Sequence, residues 1–316
     1  MSQSPSPAQT KPGTPDPSVS AATLAVPNPL NYAERKSALA KLKNITNVEL
    51  VIAFTLFTLV CFAAIFGSFI QTHDPMQGDL MARFTPVGEK GYILGSDHLG
   101  RDLWSRAVAG LQWSMACALV ANTINLLIGS TLGLLAAERE GWPRTIARQI
   151  TDTLQSFPFL IVAIVVVVII GHGFMPLVLT LGFLAWTVYM RVVYAEASSI
   201  YQRDYVKAAR IAGVSRMRIM FTHVLPGVRA SLFVVFAFHF AGLLMAESAL
   251  SFLGIGAPLG VPTWGNILAE SRQYLLRAPW MLMVPAGAII ISVITMNLIG
   301  DGIASLARKS GRGIDV

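Results

Sequence analysis

The sequence predicts an all-α polytopic membrane protein with six transmembrane helices, and three observations carry that prediction. Of its 316 residues 54% are hydrophobic and 13% charged, against roughly 25% charged in a soluble domain. Six apolar runs each approach the ~20 residues that a helix needs to cross ~30 Å of hydrocarbon. Lys and Arg gather in every second connection, the bias of a chain whose basic loops stay in the cytoplasm.

In chain order, residues 1–31 are rich in Ser, Pro, Ala and Thr and have no apolar core. They are expected to be a disordered tail and not a cleavable signal. Tyr32 to Asn44 carries Arg35, Lys36, Lys41 and Lys43. It reads either as a short basic helix on an anionic membrane surface or as a solvated charge run. The organisation expected is a tail over 1–45, a transmembrane domain over 46–303 and a second tail over 304–316.

Span one is expected at Val48 to Ile70, opened by a capping box at Thr46-Asn-Val-Glu49. Span two runs from Leu111 to Ala137, and its Gly129-xxx-Gly133 lets another helix approach closely. Span three covers Ile150 to Ile170, with a Phe157-Pro158 break in its first turns. Span four, Leu177 to Val193, follows Gly171-His-Gly-Phe-Met-Pro176 so closely that the two form a hairpin. Spans five and six are placed at Ala230 to Phe252 and Met281 to Ile299. Cys61 and Cys117 fall inside spans one and two, as buried thiols do.

With the N-terminus inside, 18 of the 24 Lys and Arg fall in cytoplasmic segments. The two outside segments, 71–110 and 254–279, hold the other six. Both termini are then cytoplasmic, and the net charge of +7 follows from topology and is no nucleic-acid footprint.

The outside loop contains Asp97, Arg101, Asp102 and Arg106 at four- and five-residue offsets, which suit salt bridges in a self-paired lid. His98 stands beside Asp97, but one histidine among scattered carboxylates is no metal set. No Gly-Lys-Ser/Thr phosphate loop, His-Glu-x-x-His, Gly-x-Ser-x-Gly or Cys/His cluster occurs. No catalytic residue, metal or cofactor is therefore expected, and the chain does not itself split ATP. Glu247 in span five is costly in lipid and should face the bundle or a water-filled path. A pathway or inter-subunit role and a structural polar contact are the two readings for it. His239 lies eight residues earlier on roughly the same face; it is a candidate for the same pathway or inter-subunit role, with a helix–helix hydrogen bond as the other reading. Asp152 and Asp301 are expected to pair with nearby arginines, and Asn122 and Asn125 to hold helices together.

Between spans four and five lies a basic stretch, RDYVKAARIAGVSRMRIMFTHVLP, from Arg203 to Pro226. Tyr205, Ala208, Ala209 and Ala212 make a helical stripe that stops at Gly213. Val214, Met217, Met220, Phe221 and Val224 make a second one, ended by Leu225-Pro226. Two short helices meeting at a glycine form a cytoplasmic knob.

This stretch resembles the EAA loop of ABC-importer permeases, with Ala208, Ala209, Gly213, Leu225 and Pro226 in register. Lys207 stands where the general pattern has Glu, and His223 where it has Ile, as is common in the peptide and nickel importer branch. GSDHLGRDLWSR, Gly95 to Arg106, resembles a signature of that branch's second permease subunit, with Ser96 for Thr. AESALSFLGIGAP, Ala246 to Pro258, and NLIGDGI, Asn297 to Ile303, match further segments in the right order.

The resemblance implies a type I ABC-importer permease fold in a bacterial inner membrane. It implies a homologous partner permease, two ABC ATPase subunits and an extracytoplasmic solute-binding protein. Asp204, Tyr205, Ala208, Ala209, Arg210, Gly213, Val214, Ser215, Arg216, Leu225 and Pro226 would couple the knob to an ATPase. The substrates implied are di- or oligopeptides, with nickel, glutathione or an opine-like solute as alternatives. An ion-coupled carrier or channel is the rival class, and the sparseness of polar residues in the spans disfavours it.

Overall fold

The computed structural model describes residues 51–138, 141–258 and 260–311. The expected N-terminal tail, the Tyr32–Asn44 segment, the Thr46–Glu49 capping box and the last five residues lie outside the described residues.

Every regular element described is helical, and two isolated β-bridges, Gly78 to Arg101 and Ser96 to Asp102, pin the loop that follows the first helix. Five stretches are long and apolar enough to cross a membrane. They are α1 (Val51–Ile70), α2 (Leu103–Glu138), Phe174–Tyr201, Arg216–Phe252 and Trp280–Ala307. A bent pair, α3 (Trp142–Gln155) and α4 (Phe159–Ile170), which meet at 89°, makes a sixth where the two are taken together as one broken span.

Helix α2 is central, because its small residues let neighbours in. A Cβ on Gly129 would come within 2.6 Å of the Tyr189 Cβ, and one on Gly133 within 2.9 Å of the Met190 carbonyl. Only glycine admits α6 (Thr187–Tyr201) at that distance. The expected asparagine links are present. Asn122 Nδ2 donates to the Phe236 carbonyl at 3.0 Å and its Oδ1 accepts from the Tyr189 hydroxyl at 2.8 Å. Asn125 Nδ2 reaches the Leu181 carbonyl at 3.3 Å. Asn122→Ala removes two interhelical hydrogen bonds and should cost about 1–2 kcal/mol, measured as a lowered Tm in detergent.

Several span boundaries differ from expectation, span two among them, since α2 starts at Leu103 and not at Leu111. Span three is not one helix from Ile150: α4 has 12 residues, about 18 Å at 1.5 Å per residue, too short to cross alone. Pro158 offers no N–H and pushes Phe157 out of helical backbone, so α3 closes at Ser156, which bonds back to Asp152. Span four is longer than Leu177–Val193 and is interrupted at Ala185-Trp186 between α5 (Phe174–Leu184) and α6. Span five begins well before Ala230. There α8 (Arg216–Ile219), a π turn (Met220–Val224) and α9 (Leu225–Phe252) run on without a break. The last helix, α11 (Trp280–Gly311), carries on past Ile303. The short α10 (Trp264–Ser271) crosses the end of α9, where a Cβ on Gly265 would come within 2.6 Å of Ser251 Cβ.

Candidate functional site

The knob is built from α7 (Asp204–Ile211), the Gly213 turn and the α8–π–α9 segment. Helix α7 carries Asp204 in its first turn, the favourable sign for the helix dipole. It ends in a Schellman motif. Gly213 has φ +80°, its N–H bonds to the Arg210 carbonyl, and the Val214 N–H bonds to the Ala209 carbonyl, both at 3.1 Å. A residue in this left-handed conformation is naturally glycine. Ser215 then caps α8, its hydroxyl accepting from the Arg218 N–H at 3.4 Å.

Leu225-Pro226 does not end the knob helix, as the sequence pattern suggested. The Leu225 N–H bonds back to the Met220 carbonyl in a π turn, and Pro226 falls in the first turn of α9. The widened turn lets a proline enter without breaking the axis. His223, where the general pattern has Ile, lies edge-on to the Tyr205 ring at 5.9 Å and so ties the π turn to α7.

One side of the knob is anchored. Val206, Ile219, Met220 and Val224 are buried against Leu134 of α2, Val193, Ala197 and Ile200 of α6, and Val228 of α9. Ala209 and Val214 pack on the same cluster from its edge. Of the stripe Tyr205, Ala208, Ala209, Ala212, Ala209 borders the cluster while the other three stay exposed, so the stripe is not the main packing face. Alanines offer little apolar area, so the β-branched Val206 turns inward instead. Arg216 bonds to Glu138 at the end of α2 at 3.2 Å, Arg210 leans over the Tyr201 ring at 5.9 Å, and Lys207 meets Asp204 at 3.3 Å.

The other side is open. Ile211 is 88% exposed, and Tyr205, Met217 and Phe221 are each about half exposed. Ala208, Gly213, Arg210 and Arg218 lie exposed among them, and a Cβ on Gly213 would meet nothing within 4 Å. Large apolar side chains exposed on one knob together with arginines are the character of a protein–protein docking surface.

At the far end of the bundle the lid is an ion-pair network. Arg101 Nε donates to Asp97 Oδ2 at 2.6 Å and its Nη2 to Glu270 Oε2 at 2.6 Å. Arg106, wholly buried, donates from Nη2 to Glu270 at 2.9 Å, with its Nε 3.7 Å from Asp97. Asp102 departs from the expected pairing. Its Oδ2 accepts from the Ser105 N–H at 3.0 Å, the Ser105 hydroxyl at 2.6 Å and the Thr72 hydroxyl at 2.8 Å, so it caps α2. Glu270 was absent from the sequence reading. The signal lay in its being the only acid among residues 254–279.

Ligand atoms of Asp97, His98 and Glu270 come within 4.8 Å of one another, but Arg101 and Arg106 occupy both carboxylates. Two guanidinium groups there oppose a cation. Burial pushes the His98 ring below its usual range, and it stacks on Tyr274 at 5.1 Å.

Inside the bundle Glu247 is wholly buried and accepts from Ser251 Oγ at 2.9 Å and Ser248 Oγ at 3.4 Å, with Ser114 of α2 beside it. His239 hydrogen-bonds the Ala185 backbone at the α5–α6 break and lies edge-on to Tyr189 at 5.3 Å. Asp152 meets Arg191 at 3.3 Å, as expected for an acid near a span end.

Comparison with known proteins bears on both ends of this architecture. Residues 129–310 match the family described as binding-protein-dependent transport system inner membrane component. A putative peptide transport system permease protein of Brucella suis is 36% identical over 255 residues, covering 80% of this chain and 84% of that protein. A di/tripeptide transport system permease protein of Pseudomonas aeruginosa is 33% identical over 291 residues, 89% of this chain and 92% of that one. A glutathione transport system permease protein of Pectobacterium atrosepticum is 33% identical over 256 residues, 81% and 85% of the two chains. The matched segment takes in α6, the knob and both helices that follow it. With the polytopic helical fold and the anchored knob, it makes this chain a multi-pass membrane permease belonging to the binding-protein-dependent transport system inner membrane component family.

Proposed function

We propose that this chain is one permease subunit of an ATP-driven bacterial importer for di- and oligopeptides. It works with a homologous partner permease, two ABC ATPase subunits that hydrolyse the ATP, and an extracytoplasmic solute-binding protein. The names of the peptide and di/tripeptide relatives favour a peptide substrate. Glutathione, named for a third relative, is a small peptide-like solute of the same chemical class.

The observation that carries this reading is the two-sided knob. Its buried side is keyed to α2, α6 and α9, and its open side offers Tyr205, Ile211, Met217 and Phe221 together with arginines. Charge bias along the chain supports a cytoplasmic knob and cytoplasmic termini. ATP closes the two motor subunits, the knob moves with the cleft it sits in, and three spans move with the knob. Coupling requires different contacts in the two states, since a ligand shifts only an equilibrium whose states it binds unequally. Ala208, Ala209 and Gly213 keep the seat shallow, while Arg210 and Arg216 set its register.

The test is a single cysteine at Ile211, with Cys61 and Cys117 replaced, in the assembled importer. It should cross-link to an ATPase subunit, with a yield that changes on adding ATP, and should resist membrane-impermeant thiol reagents applied from outside. Labelling from outside, or no cross-link in any nucleotide state, removes the coupling assignment. Uptake that survives loss of the ATPases would mean an ion-coupled carrier.

A further inference from the structure

A cavity of 590 Å³ opens where the α3–α4 bend and the α5–α6 break face the middle of α9. That volume falls within the ~300–1,000 Å³ usual for small-molecule sites. Its lining is largely apolar, with Phe157 from the bend, and Gln155, Thr187, Arg191 and His239 are the polar groups in it. A groove of 320 Å³ between α1, α2, α9 and α11 has no charged side chain in its lining and suits acyl chains. The cavity at the bend differs in having a cation, Arg191, in its lining, at the end of its span that the charge bias makes cytoplasmic. Arg191 is 57% exposed, and its ion pair with Asp152 is long at 3.3 Å. At a span end its guanidinium can reach water or a polar solute while its stem lies along apolar surface.

Gly242 lines the cavity, and a Cβ added there would meet nothing within 4 Å. A helix-interior glycine that no neighbour requires costs about 0.5–1 kcal/mol relative to alanine. Here the space it leaves is open and not filled by a crossing helix, unlike that at Gly129 and Gly133.

We propose that this cavity is the station at which the transported solute touches this subunit. It is built for a small solute with a free carboxylate, which pairs with Arg191 while His239, Gln155 and Thr187 supply polar contacts. The proposal rests on the permease reading above and adds the subsite and the group it recognises. Guanidinium–carboxylate pairing is strong where water is scarce, and a peptide's C-terminus supplies that carboxylate.

The experiment uses the complete importer, with partner permease, ATPases and binding protein, in liposomes. A radiolabelled dipeptide containing benzoylphenylalanine serves as both cargo and photoprobe. Uptake should fall progressively through Gly242→Ala, Gly242→Leu and Gly242→Trp, reaching at least tenfold with Trp, at unchanged assembly yield. Photoadducts should map to the α3–α4 bend, α6 or the middle of α9. Arg191→Gln should lower uptake of the dipeptide severalfold more than uptake of its C-terminal amide.

Full uptake by Gly242→Trp, adducts only on lipid-facing residues, or equal losses for dipeptide and amide would overturn the proposal. If the wild-type importer takes up no dipeptide, the substrate reading fails, and the cavity is judged separately. A Gly242→Cys chain lacking Cys61 and Cys117 should then react with a charged thiol reagent in one nucleotide state and not in the other. Reaction in neither state would mean that acyl chains or a partner helix fill the cavity, and the proposal would fall.

Discussion

Gly213→Val should leave the permease inserted and assembled with its partners, yet reduce uptake more than tenfold. Two consequences of the substitution are separable. Valine at φ +80° brings backbone strain of about 1–2 kcal/mol, which the Val206, Ile219 and Val224 anchor can absorb without releasing the knob. Its isopropyl group meets no atom of this subunit, since the space beyond Gly213 is open. The steric burden falls on whatever seats the knob. Gly213→Asn tells the two apart, because asparagine tolerates the left-handed region with little strain but still adds bulk. Loss of uptake with both, measured with labelled dipeptide in liposomes, assigns the effect to the seat. Recovery with Asn would assign it to the turn, and normal uptake with Val would deny the knob a coupling role.

The second large effect is expected at the lid. Arg106→Met should destabilise the subunit by about 3–5 kcal/mol, the usual result of stripping one partner from a buried ion pair. Arg106 is fully buried, and its removal leaves Asp97 and Glu270 to share Arg101 alone. Its Nε and Nη1 lack hydrogen-bond partners in the structure, so the loss should sit at the lower end of that range. Replacing Glu270 with Leu as well should recover part of it, since the pair is lost together and the residual charge balance is restored. Thermal unfolding in detergent compares both variants with the wild type. A Tm unchanged by Arg106→Met would mean that the network carries little of the lid's stability.

Much of the site was legible from local pattern. The Gly213 stop and the Asn122 and Gly129-xxx-Gly133 contacts depend on neighbours a few residues away or on the plain need to satisfy polar groups in lipid. The facing of the knob was not legible. Whether Val206 or the Tyr205–Ala208–Ala212 stripe packs inward depends on where α2 and α6 end, which periodicity in eight residues of α7 does not encode. Glu270 was missed for the same reason: it meets Arg101 and Arg106 across some 165 residues of chain.

By itself, the sequence determined the class of the molecule, the number of its apolar runs and the site of the knob. Hydrocarbon thickness and the cost of charge in lipid act on composition and run length, which are local quantities. Only the tertiary structure decided which face of the knob is open, how sharply span three bends at Pro158, and that Arg191, His239 and Gly242 border one cavity. Those outcomes come from packing between helices distant in the chain, where shape and leftover hydrogen-bonding groups are matched in three dimensions.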